Sequence, residues 1–257
     1  MRHLTLAVLL AVSLVPSPGH AADLAAHRAH YDLQLAQGRG EVIAGTGSMD
    51  YEVTDACDAW AVRQRLQMQL TGRDGTQTDT LSDYTTLESK AGGSLRFRLR
   101  QTTDGEVSAE VAGTATLSPT GGEVKYTLPE ATTTALPAGT LFPMAHTAAI
   151  LAAAQAGKKF IAVPLFDGTG ANGAQNSTVA IAGWGASPPT APAELAGLPS
   201  GQVRIAFFDR DSSSQEADYE VGMRYFANGV ADGMSMDFGE FVMAAKLKDL
   251  KLSKPGC

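Results

Sequence analysis

The stretch LFPMAHTAAILAAAQAG, Leu141 to Gly157, is the one long helical signal in a chain that otherwise reads as strands. Pro143 stands near its start, where a missing N–H costs nothing. Met144, Ala148 and Leu151 recur at i, i+4 and i+7, which makes one apolar stripe. Ala148 to Ala154 is rich in the strongest helix formers. Gly157 offers a left-handed cap, with Lys158 and Lys159 placed to suit the negative end of the helix dipole. A lone helix of mostly small residues, set between two groups of strands, predicts a plug laid against the concave side of a curved sheet.

The segments on either side fit that picture. Tyr31, Leu33 and Leu35 alternate with polar neighbours, as do Met49, Tyr51 and Val53. Trp60, Val62, Leu66, Met68 and Leu70 form a period-2 apolar face broken by Gln64, with Arg63, Arg65, Gln67 and Gln69 opposite. Leu95, Phe97 and Leu99 alternate with Arg96, Arg98 and Arg100. Thr78–Leu87 is polar and β-prone, and short strands are expected at Val107–Val111 and Val124–Leu128. Beyond the helix, strands are predicted at Phe160–Phe166, Thr178–Trp184, Val203–Phe208, Tyr219–Phe226, Met234–Phe238 and Phe241–Leu252. Asp104-Gly105 and Asn228-Gly229 are hairpin signals, and the four prolines within Ser187–Pro199 mark a surface loop. Many short strands without a fixed repeat or a linker predict one all-β domain: a curved sheet or half-open barrel with one principal α-helix.

At the N-terminus, Arg2 and His3 precede an apolar run from Leu4 to Val15, then Pro16, Pro18, Gly19 and Ala21. This pattern predicts a cleavable signal peptide over residues 1–21, too short for a membrane span, and a mature domain over 22–257. No later stretch approaches the ~18 apolar residues of a transmembrane helix. The whole chain carries 20 Lys+Arg against 27 Asp+Glu, a net charge of −7. That acidity argues against a nucleic-acid partner. Both cysteines, Cys57 and Cys257, follow the expected cleavage site. In an oxidising compartment two cysteines most simply pair, with a free thiol or an intermolecular bridge as the alternatives. Closing so long a loop stabilises by about 5 kcal/mol in the chain-entropy model.

Catalytic and cofactor motifs fail on context. GTGANG at 168–173 spells a dinucleotide fingerprint, but the strand-like NSTVAI follows it where a helix is required. Asp209, Asp211, Ser213 and Glu220 have calcium-loop spacing, yet Ser214 replaces the obligatory glycine. His27 and His30 would point to opposite faces of one strand, which disfavours shared metal ligation. His146 stands early in the helix without a Gly-x-Ser-x-Gly or His-Glu-x-x-His companion. No cofactor is expected, and a hydrolase remains only as an alternative. The nearest approach to a binding site is arginine: Arg63 and Arg65 share one strand face, Arg96, Arg98 and Arg100 another. Either these faces are the solvated outside, or the sheet curls so that they line a groove for an anionic group such as a lipid phosphate or an acidic peptide.

Several segments, in order, resemble the EipB-like family of periplasmic cell-envelope integrity proteins. They are LAAHRAHYDL (24–33), MDYE (49–52) leading to Cys57, LPAGTLFPMAHT (136–147), FDG (166–168), DYEV (218–221), YFANGV (225–230), DFGEF (237–241) and the terminal Cys257. The resemblance implies a many-stranded β-spiral similar in shape to the lipoprotein carriers LolA and LolB. It further implies an internal disulfide between Cys57 and Cys257. The implied role is non-enzymatic: periplasmic support of envelope integrity and stress resistance in a Gram-negative cell, through an envelope component or partner protein. A lipid or lipoprotein carrier is the alternative.

Overall fold

The computed structural model describes residues 24–210, 212, 214, 216–254 and 257. The expected signal peptide lies outside them. The chain forms strands β1 (His27–Gly38), β2 (Val42–Asp55), β3 (Ala59–Gly72), β4 (Gln77–Ser89), β5 (Ser94–Thr103), β6 (Glu106–Ser118), β7 (Gly121–Leu128) and β8 (Thr133–Leu136). Helix α1 (Pro143–Gln155) follows, and then β9 (Phe160–Leu165), β10 (Gln175–Gly185), β11 (Ser200–Phe208), β12 (Tyr219–Phe226), β13 (Ala231–Asp237) and β14 (Phe241–Leu252).

All fourteen strands join one antiparallel sheet in the order β8-β7-β6-β5-β4-β3-β2-β1-β14-β13-β12-β11-β10-β9. Neighbours in sequence are neighbours in space, as hairpin chemistry demands. At the tip between β5 and β6, for example, Asp104 and Gly105 both have positive φ, +52° and +84°, the backbone a two-residue hairpin of this twist needs. The one long-range pairing is β1 with β14, which sets His27 opposite Leu252. Edge strands β8 and β9 do not pair, so the barrel is not closed by its own ladder. The chain entering α1 occupies part of that seam: Leu141 N–H donates to Pro164 O at 2.9 Å, and Phe166 N–H to Leu141 O at 3.0 Å. This is the curved all-β sheet with one helix that the sequence predicts.

Helix α1 starts and stops two residues inside the predicted limits. Its C-terminus is a Schellman motif: Lys158 N–H reaches Ala153 O, Gly157 N–H reaches Ala154 O, and Gly157 has φ +73°. The buried residues are Met144, His146, Ile150, Leu151, Ala153 and Ala154. The expected stripe is thus corrected at Ala148, which is only half-buried. An alanine-rich helix is apolar nearly all round, so its buried arc is wider than a heptad stripe and centres on the larger Ile150 and Leu151. Met144 packs with Val53, Val62, Leu24, Tyr51 and Trp60. Ile150, Ala153 and Ala154 join a core with Tyr31, Leu33, Met49, Val179, Ile181, Val203, Ile205 and Met243. Completely burying Ile150 stabilises by about 2–3 kcal/mol.

A second core lies under β5–β7. Phe97, Tyr126, Phe142 and Phe166 meet edge-on there, with ring centroids 5.3 Å apart for Phe97 and Phe166. Gly168, at φ +75°, lies so close to Phe97 that a Cβ would sit 2.4 Å from its ring. The glycines at 168–173 therefore serve a tight β9–β10 connection, and strand β10 rather than a helix follows. The proline-rich stretch at 186–199 wraps outside the sheet through a 3-10 turn at Ala193–Leu195 and buries Leu195 against Phe226 and Val230.

Candidate ligand-binding cavity

Residues of strands β1–β5, β9 and β11–β13, together with the start of α1, line a partly open cavity of about 500 Å³. Along β12, Tyr219, Val221, Met223 and Tyr225 all line it, a run of about 20 Å at the rise of an extended strand. Ile205, Phe207, Met234 and Met236 continue this apolar side. Across from it, β3, β4 and β5 present Val62, Gln64, Ser82, Tyr84, Thr86, Leu99 and Gln101. Leu24, Asp167, Thr169, Asn228 and Gly229 also line it.

The tyrosines are enclosed by protein apart from the side facing the cavity. Burial raises the pKa of Tyr31, Tyr51, Tyr84, Tyr219 and Tyr225 above the ordinary phenol value, so all remain neutral hydroxyls. Tyr31 Oη donates to Ala231 O at 2.7 Å, and Tyr84 Oη donates to Asp167 O. Asp167 is pushed up by burial, against the pull of Thr169, whose N–H and hydroxyl donate to its carboxylate at 2.9 and 2.8 Å. His27 is lowered by burial while its Nδ1 bonds Ala25 O at 2.7 Å.

Glu88 lies behind the lining, against the first turn of α1. It is 1% exposed, and its two carboxylate oxygens accept the N–H groups of Met144 and Ala145, each at 2.8 Å. Phe142, the residue before the helix, makes no side-chain cap. Glu88 therefore supplies from strand β4 the carboxyl cap that the first turn lacks. Burial pushes its pKa up to about 7, opposed by the two N–H groups.

His146 and Ser177 are the one nucleophile–base geometry in this region, with Nε2 2.9 Å from Oγ. The single hydroxyl hydrogen of Ser177 has two acceptors in reach, His146 Nε2 and Val163 O, each at 2.9 Å, and the roles follow the imidazole tautomer. Ser177 is also 1% exposed, and burial pushes His146 down to about 4. The pair ties α1 to β10.

The other expected residues are dispersed. Arg63, Arg65, Arg96, Arg98 and Arg100 lie on the opposite face of their strands from the cavity, the solvated outside that is one of the two arrangements the sequence allows, and there Arg63 and Arg65 line an open concavity with Arg28, Asp50 and Glu52. The physical reason is alternation: Val62, Leu95, Phe97 and Leu99 are buried, so their neighbours must face out. Arg98 pairs with Glu110 at 2.5 Å and Arg65 with Asp83 at 3.4 Å. His30 faces outward and meets Asp50 at 2.7 Å, away from buried His27. Of the calcium-like spacing, Asp211 and Ser213 lie outside the described residues, and Glu220 accepts from Arg204 at 2.7 Å. Among the described residues, no cluster of three His, Cys, Asp or Glu side chains is arranged to hold a metal. None of their helices is long and apolar enough to cross a membrane. Cys57, in the β2–β3 turn, is joined to Cys257 by a disulfide with Cα atoms 5.5 Å apart.

Glu88 and the polar side of the cavity escape a reading by periodicity, because β4 is polar on both faces. The available signal was phase: Ser82, Tyr84, Thr86 and Glu88 share one parity of the strand.

A chain of this architecture has known relatives. It is 31% identical over 255 residues to the cell envelope integrity protein EipB of Brucella abortus, covering 94% of this chain and 90% of that one. A crystal structure from Brucella abortus, described as a β-barrel-like protein of a domain of unknown function, superposes with a TM-score of 0.85. It is 30% identical, over 91% of this chain and all of that one. The profile of the EipB-like family matches residues 18–254, and the chain belongs to that family.

Proposed function

We propose that this protein supports the integrity of the cell envelope by non-enzymatic binding, its cavity holding the hydrocarbon part of an envelope component. The observation that carries this reading is the cavity itself. Its volume of about 500 Å³ falls in the range of small-molecule sites, and a mainly apolar lining with a few placed polar groups is the usual composition of such a site. The name of the Brucella relative supports the envelope role. The near-complete burial of Ser177, 1% exposed, argues against a serine hydrolase. The experiment is native mass spectrometry of the purified protein, with displacement of a fluorescent alkyl probe by an envelope lipid extract. Saturable displacement is expected, and a protein that neither retains lipid nor binds the probe overturns the reading.

The reading places the protein in the periplasm after removal of residues 1–21, with Cys57 and Cys257 oxidised. Alkylation of the unreduced periplasmic protein leaves both cysteines unmodified on this account, whereas two alkylated thiols refute it. The carrier function is favoured by one observation, the seam that the β8 and β9 edges leave without a ladder. A carrier accelerates probe transfer between two vesicle populations, and a static binder does not.

A further inference from the structure

We propose that the cavity selects an uncharged amphiphile, a hydrocarbon chain joined to an ester, amide or hydroxyl group, and excludes anionic head groups from its interior. The inference rests on the cavity-binding reading and names the ligand class for that site. No lysine or arginine lines the cavity. Its one aspartate, Asp167, already accepts two hydrogen bonds from Thr169. Both lining histidines, His27 and His146, are buried and spend a ring nitrogen on protein partners. A phosphate or carboxylate brought inside exchanges its hydration for neutral dipoles and finds no counter-charge, which is strongly unfavourable. The arginines of these same strands are on the far face of the sheet.

What the lining does offer is a patch of neutral hydrogen-bonding groups on three adjacent strands. Gln64 stands opposite Tyr84, and Ser82 opposite Gln101. Among the described residues, none donates to or accepts from the side-chain polar atoms of Gln64, Ser82 or Gln101. Beside them Thr86 Oγ1 is buried without any partner, in a residue 6% exposed. A buried hydroxyl is ordinarily satisfied, so unpartnered Thr86, beside three neutral polar side chains left open to the cavity, marks a place where a ligand supplies partners. Across the cavity, Val221, Met223 and Met236 present only apolar surface, and methionine adapts to irregular chains. An acyl chain on that wall, with its carbonyl or hydroxyl turned towards Gln64 and Gln101, satisfies both sides at once. A glyceride and an acylated peptide share this chemistry.

The test compares fluorescent probes of one chain length on the intact disulfide-bonded protein: a bare alkyl dye, a monoacylglycerol, an N-acyl peptide amide and a lysophosphatidate. Both neutral amphiphiles are expected to bind at least about 10-fold more tightly than the lysophosphatidate, and the tighter of the two identifies the source. Gln64→Leu combined with Gln101→Leu is expected to weaken the neutral amphiphiles by roughly 10-fold and to spare the bare alkyl dye. Gln101→Lys is expected to raise affinity for lysophosphatidate. Thr86→Val, which removes an unpartnered hydroxyl at constant shape, is expected to leave the thermal midpoint unchanged or higher. Lysophosphatidate binding as tightly as the neutral probes overturns the proposal, as does unchanged neutral binding in the double leucine variant. If the bare alkyl dye also fails to bind, the cavity-binding reading falls with it.

Discussion

Strands β3–β5 and strands β11–β13 each contribute three antiparallel strands to the same cavity, and they distribute polarity differently. In β11–β13 the inner face is apolar, with Ile205, Val221, Met223 and Met236, while the charged pairs Arg204–Glu220 and Arg224–Asp232 connect neighbouring strands. In β3–β5 both faces carry polar residues. The division there is between neutral and charged: Gln64, Ser82, Thr86 and Gln101 inside, the arginines outside. Removing an amide or hydroxyl from water costs far less than removing a guanidinium. A polar wall facing this partly buried cavity is therefore cheaper when it is uncharged. Glu88 is the exception in phase with the inner set, and the first turn of α1 supplies the two N–H groups that make it possible.

The contrast breaks most visibly in stability. Met236→Ala, on the apolar wall and 5% exposed, is expected to cost about 3 kcal/mol in urea unfolding. Gln101→Ala on the polar wall is expected to cost below about 1 kcal/mol, because no protein partner is lost. Equal losses would show that the polar wall is packed core rather than ligand surface.

Glu88 sharpens the comparison through pH. Its pKa is raised from 4.5 to about 7 in the fold, so the folded state holds a proton that the unfolded state releases. That contribution is fully present below about pH 4.5 and is lost as pH rises through about 7, a change on the order of 3 kcal/mol. Glu88→Gln, which cannot ionise, is expected to flatten this part of the stability–pH curve. An unchanged slope assigns the pH dependence to other groups.

The smallest effect is expected on the outer face. Replacing Arg96, Arg98 and Arg100 together by Gln removes one exposed ion pair, Arg98–Glu110, and is expected to move the thermal midpoint by no more than about 2–3 °C. Probe binding in the cavity stays at the wild-type level. A marked loss of binding would return the arginine face to the functional site.

Local chemistry made much of the architecture legible. Apolar alternation marked most strands, Gly157 the end of α1, Asp104-Gly105 a hairpin, and the sequence GTGANG followed by NSTVAI a loop rather than a nucleotide site. Each depends on residues within a few positions of one another. The extent of helix burial was less legible, since Ala148 and Ile150 are equally compatible with an apolar helix until its docking angle is set.

The sequence by itself thus determined the class of fold, the single helix, the family and the parity of the arginines on their strands. Only the tertiary structure decided what that parity meant. Curvature of the sheet made one face of β3–β5 interior, set Glu88 under a helix that begins 55 residues later, and brought His146 and Ser177 together at a buried contact. Those outcomes depend on long-range register and on which direction a twisted sheet closes. Neither is encoded in the spacing of neighbours along the chain; both are set by the collective packing of all fourteen strands around the plug.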